Sequence, residues 1–83
     1  MIKQFTEDLV EEWFRAEALY PNFHSMHEAY AVMLEELDEL WEEVRKQPRD
    51  RDPDTIYKEL VQIAAMALRT VTSLGKEEKP YGL

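Results

Sequence analysis

The chain has no cysteine, so neither a disulfide framework nor a thiolate metal site can brace it, and its redox compartment is left open. A metal, if bound, must be held by oxygen or imidazole ligands, and only two histidines are present. Two glycines and four prolines leave few places to turn. Positive charge is also short: 10 basic residues face 18 acidic ones, for a net charge of −8. That balance repels nucleic acid and anionic membranes unless a cation intervenes, so no direct nucleic-acid binding is expected. Long hydrophobic runs are missing too. The first stretch, MIKQFTEDLVEEWFRAEALY, carries acids throughout and offers no apolar core for a signal peptide or a membrane span. A cytoplasmic protein that binds no membrane is expected.

Eighty-three residues suffice for one small domain, 1–83. Chains this short bury only about 60% of their unfolded surface, so a lone core is marginal and oligomerisation is the expected remedy. The sparse turn signals fall at YPNFHS (Tyr20 to Ser25) and QPRDRDPD (Gln47 to Asp54). They divide the chain into three helices, expected at roughly 2–20, 26–46 and 53–74, followed by a polar tail at 75–83 that starts with a helix stop at Gly75. No internal repeat is visible. The expected fold is all-α, an antiparallel bundle of three helices per chain completed by oligomerisation.

In the first segment Ile2, Phe5, Leu9, Trp13, Ala16 and Tyr20 recur at steps of three and four, the mark of an amphipathic helix. The second opens on SMHE, where Ser25 can cap and Glu28 can reach back to the cap's own N–H. Its apolar seam is expected along Met26, Tyr30, Met33, Leu37, Leu40 and Val44. The third starts with Asp52 as cap, Pro53 at the first helical position and Asp54 favoured by the helix dipole. From Ile56 to Leu74 it is apolar over most of its circumference. Such a helix needs partners on more than one side, so it is expected at a subunit interface as well as in the core.

The second helix also carries an acidic stripe. Most of it, including Glu28, Asp38 and Glu42, reads as the wet face of any amphipathic helix. Glu36 and Glu39 differ: they are three residues apart and adjacent on the helix surface, and Glu36 lies beside Leu40 at the edge of the seam. On the third helix Glu59 projects among Ile56, Ile63 and Met66, with Gln62 one turn on. A carboxylate among apolar neighbours needs a partner. Lys58, Arg69 or Arg15 in a salt bridge would serve, and so would a metal ion. Two antiparallel helices, each offering a glutamate and a second oxygen one turn along, would gather three carboxylates and an amide oxygen. Oxygen ligands of this kind select Mg²⁺, Mn²⁺ or Ca²⁺, and bound Mg²⁺ shares its shell with water and phosphates.

The pair EELDE (Glu35, Glu36, Glu39) and ELVQ (Glu59, Gln62) resembles the EExxE and ExxD signature of the all-α MazG-like nucleoside triphosphate pyrophosphohydrolases. The resemblance covers Ser25 to Val71. HEAYAVMLEELDELWEEV and KELVQIAAMALRTV also look like small phage and bacterial MazG-like proteins. It implies a helical subunit that dimerises or tetramerises and hydrolyses a (deoxy)nucleoside triphosphate to the monophosphate and pyrophosphate. Glu36, Glu39 and Glu59 would be Mg²⁺ ligands, Mn²⁺ being the alternative ion, and Glu35 a further ligand or water-orienting group. Gln62 stands where the family has aspartate; its carbonyl oxygen can ligate but brings no negative charge.

Lys58 and Arg69, near the acids, and Arg45, Lys46, Arg49 and Arg51, around the second turn, are candidate phosphate contacts as well as ordinary salt-bridge partners. Trp13, Phe14, Phe23 and Tyr30 can stack on a base or fill a core. His24 and His27 flank the Ser25 cap and read as turn residues. Besides the pyrophosphohydrolase, two rival functions fit the sequence: a nucleotide- or metal-binding module without turnover, and a structural helical oligomer whose acids confer solubility.

Overall fold

A computed structural model describes residues 1–78. They form α1 (Ile2–Leu19), α2 (Met26–Val44), a single 3-10 turn (Pro48–Asp50) and α3 (Pro53–Glu78). The protein is all-α, with no strand among the described residues. The first two helices end within one or two residues of their expected limits. The third runs past the expected stop: Gly75 is helical and the backbone continues to Glu78. A glycine costs a helix interior only about 1 kcal/mol relative to alanine, too little to end a helix that packing supports. The expected polar tail from 79 onward lies outside the described residues.

Local chemistry fixes both turns. The Ser25 side chain accepts from the Glu28 N–H at 3.1 Å, which satisfies one of the orphan donors of the first turn of α2. Glu28 reaches back as expected, but its carboxylate accepts from the N–H of His24, at 2.7 Å, one residue before the cap. At the start of α3, Asp52 accepts from the Asp54 N–H at 3.1 Å and from the Thr55 hydroxyl at 2.9 Å. Glu43, one of the acids of the α2 stripe, is buried. It accepts from the Asp52 N–H at 2.8 Å and from Lys46 Nζ at 3.0 Å, and these bonds hold its carboxyl below the usual range. Arg51 donates to the Val44 carbonyl left free at the end of α2. The two contacts staple the α2–α3 connection.

Helix α3 is the shared element. It packs on α1 and on α2, while those two barely meet. The core therefore lies along two seams, with Ala16, Phe23, Ala29, Ala65, Met66 and Leu74 at its centre and Trp13, Met26, Val32 and Met33 against it. The seam of α2 differs from the expected one. Met26, Met33 and Leu40 face inward, joined by Ala29, Glu36 and Glu43, whereas Tyr30 and Leu37 are exposed. The helix carries two apolar stripes, and the one containing Ala29 faces α3 because its small side chain lets the backbones approach.

Arg69 ties α1, the first turn and α3 together. It is 2% exposed. Its guanidinium donates to Glu17 at 3.0 Å and to the Pro21 carbonyl at 2.9 Å, and lies 4.8 Å from the centroid of the Phe23 ring. A planar fork suits this combination of carboxylate, carbonyl and ring in a way an ammonium does not. Arg69→Ala would leave these acceptors unpaired at a buried site and is expected to cost about 2–4 kcal/mol, with Arg69→Lys recovering little. Denaturant unfolding checks this, and an unchanged midpoint in either variant would contradict the assigned role.

Candidate metal centre

Where α2 crosses α3, Glu36, Glu39 and Glu59 each place one carboxylate oxygen within 4.8 Å of the others. The i, i+3 spacing puts Glu36 and Glu39 on adjacent turns of one helix face, and the antiparallel neighbour brings Glu59 to the same level. Glu36 and Glu59 are half-buried and Glu39 is exposed. Oε2 of Glu36 and Oε2 of Glu59 are buried without a hydrogen-bond partner. Two like charges at about 4 Å repel by about 4 kcal/mol at an effective dielectric near 20, so three ionised groups here would oppose the fold. Burial pushes the Glu36 carboxyl up to about 7, and the charges of Glu39, Glu59 and Glu35 add to the rise. Burial also raises Glu59, as does the neighbouring Glu39 carboxyl, while Lys58 opposes the rise. Among the described residues no cation pairs with the two orphaned oxygens. Protonation of the cluster relieves that repulsion.

The cluster opens into a groove of about 510 Å³ between α1 and α2, floored by α3. Glu35, Glu36, Glu39 and Gln62 all line it, so the structure gathers these candidate site residues on one surface. Glu35 sits at the exposed rim and Gln62 is half-buried. The opposite wall is α1, with Glu12, Arg15, Ala16 and Tyr20. Glu28 and Val32 extend the α2 wall, and Phe23, Met66 and Arg69 supply the inner end. Five carboxylates face two guanidiniums, each already paired: Arg15 with Glu12 at 2.9 Å and Arg69 with Glu17. Such a groove accepts an anion only together with cations.

Three expected contacts are placed otherwise. Lys58 is exposed and lies outside the groove lining. Trp13 is also outside it; its indole N–H donates to the Thr72 hydroxyl at 3.2 Å and its ring meets Phe14 edge-on, which makes it part of the α1–α3 seam. Arg69 lines the groove, but its donors are committed to Glu17 and to the first turn. Glu12 and Arg15 were missed as wall residues. Their spacing beside Ala16 identifies a helix face, but which neighbour that face meets depends on how α1 docks. Comparison of the chain with protein families, with curated proteins and with solved structures finds no match.

The raised carboxyls give a definite pH dependence. Between the ordinary value of 4.5 and about 7, folded Glu36 holds a proton that the unfolded chain releases. The folded state then binds more protons, and stability falls as pH rises through that window. Metal-free protein is therefore expected to melt at higher temperature near pH 5 than near pH 7.5. Glu36→Gln should flatten the profile; an unchanged slope in that variant would place its origin elsewhere.

Proposed function

We propose that this chain is a MazG-like nucleoside triphosphate pyrophosphohydrolase that works in the cytoplasm as a homo-oligomer, with Mg²⁺, or Mn²⁺ in its place, at the Glu36–Glu39–Glu59 centre. The observation that carries the reading is the convergence of three carboxylates from two helices, with two buried oxygens unpartnered, two of the three lining the wall of a groove large enough for a nucleotide. Unpartnered hard oxygens fit a hard divalent cation, and an all-oxygen set with no histidine or thiolate fits Mg²⁺ or Mn²⁺ better than zinc. The bound ion would neutralise the phosphates and polarise the phosphorus toward water.

The chain's own residues divide the remaining work. Glu36, Glu39 and Glu59 hold the ion, and Gln62 offers a neutral fourth oxygen. Glu35, at the exposed rim, orients a water and accepts its proton. Arg15 lies across the groove, where exchange of its Glu12 partner for a phosphate would let it balance charge on the far side. The aromatic and apolar inner end, Phe23 with Met66, provides a surface for the base.

Gln62 also favours a second reading, a nucleotide- or metal-binding module without useful turnover, since the neutral ligand weakens the hold on the cation. One assay separates the two. Pyrophosphate release from a panel of canonical and modified nucleoside triphosphates, with and without Mg²⁺ or Mn²⁺, is expected from the wild type. Glu59→Gln should abolish both hydrolysis and metal-dependent thermal stabilisation without unfolding the protein. Gln62→Asp should tighten Mg²⁺ by about tenfold, the equivalent of roughly 1.4 kcal/mol for one added charge. Metal-dependent stabilisation without turnover in the wild type would select the binding module, and the absence of any metal effect in both wild type and Gln62→Asp would refute the centre.

A further inference from the structure

The groove has a second carboxylate position, far from the metal cluster. Along the α2 wall Glu28, Val32, Glu36 and Glu39 follow at steps of four, four and three, so they share one helix face. Glu28 stands at the end nearest the α1–α2 turn, eight residues from Glu36, a rise of about 12 Å. A nucleotide whose phosphates meet an ion at Glu36 and Glu39 would carry the far edge of its base toward Glu28. The aromatic rings of the groove lie at that same end. Tyr20, which is 56% exposed, and Phe23 both line it. The guanidinium of Arg69 covers one side of the Phe23 ring, which leaves Tyr20 as the open ring on which a base can stack.

Glu28 is held in place from both ends. Its backbone N–H donates to Ser25 Oγ at 3.1 Å, and its Oε1 accepts from the N–H of His24 at 2.7 Å. The second bond fixes the carboxylate beside the residue that follows Phe23. Among the described residues no lysine, arginine or histidine forms an ion pair with it. A carboxylate has about four lone-pair sites on its two oxygens, and the His24 N–H takes only one. Of the two guanidiniums lining the groove, Arg69 commits its donors to Glu17 and the Pro21 carbonyl, and Arg15, more than a turn before Tyr20, pairs with Glu12. The charged group left for a base at this end is therefore an acceptor. A carboxylate is best matched by two parallel N–H donors. Guanine presents them as N1–H beside its 2-amino group. Adenine and cytosine set a ring acceptor next to their amino group, and uracil and thymine flank their ring N–H with carbonyls, so each turns a lone pair toward the second oxygen.

We propose that Glu28 selects the base, and that the groove takes guanine nucleotides through a carboxylate fork to N1–H and the 2-amino group. The inference rests on the nucleotide reading of the groove and adds the identity of the base, yet uncharged nucleosides test it without metal or turnover. The experiment is an NMR titration of the metal-free chain with guanosine, with inosine, which lacks the 2-amino group, and with 1-methylguanosine, which lacks N1–H. Guanosine is expected to bind at least about tenfold more tightly than either analogue. In Glu28→Gln a glutamine serves the capping position as glutamate does, while one acceptor oxygen becomes a donor. That variant should melt with the wild type and bind the three nucleosides alike. Equal wild-type affinity for guanosine and inosine, no binding of guanosine, or a preference that persists in Glu28→Gln would overturn the assignment. Guanosine preference with no pyrophosphate released from GTP and Mg²⁺ would refute the hydrolase and leave the base assignment standing. Release from every nucleoside triphosphate at equal kcat/KM would do the reverse.

Discussion

The architecture depends on one constraint: α3 is apolar around most of its circumference, and α1 and α2 together cover only part of it. Two helices placed on either side of a third, and scarcely touching each other, necessarily leave a furrow in front and an uncovered face behind. The furrow is the acidic groove, whose walls are α1 and α2 and whose floor is α3. The uncovered face is the charge-free stripe of α3 continued by the outer stripe of α2. Both features therefore follow from the same packing decision.

Within that frame the chain accepts local electrostatic cost at the α2–α3 crossing. Apolar residues at Glu36 and Glu59 would pack this seam without penalty, yet the two carboxyls lie half-buried with orphaned oxygens beside a third acid. Burial and mutual repulsion work in the same direction and raise both carboxyls, that of Glu36 to about 7. The other buried acid, Glu43, has the opposite environment. A backbone N–H and a lysine meet its oxygens and hold its carboxyl down. Two acids seven residues apart on the same helix face are thus shifted in opposite directions because one has donors and the other lacks them. The unsatisfied one is where a cation can act, and the satisfied one is a staple.

Much of this was legible in the residues themselves. Helical periodicity, the Ser25 and Asp52 caps and the two turn clusters fixed three helices, because these signals act over a few residues and need no tertiary context. The meeting of Glu36 and Glu39 with Glu59 was legible for a related reason: spacing along two helices joined by a short turn leaves few ways for their acids to meet. Gly75 misled because a helix stop is a local preference of about 1 kcal/mol, and packing of α3 outweighs it. The burial of Glu43 could not be read from its neighbours in sequence, a largely solvated stripe, because its backbone partner lies across the turn.

What the sequence determined by itself is the set of helices and the acid motif, both governed by interactions within a few residues or one helix–helix crossing. Tertiary structure alone decided which of two apolar stripes on α2 turns inward, since Tyr30 and Leu37 satisfy the same periodicity as Ala29 and Met33 and only the closeness of α3 distinguishes them. It likewise assigned Arg69 to Glu17 and the first turn, moved Trp13 into the α1–α3 seam, and placed Glu12 and Arg15 across from the carboxylates. Each of those outcomes depends on how α1 docks on α3, a long-range choice set by summed packing and desolvation that no short stretch of residues encodes.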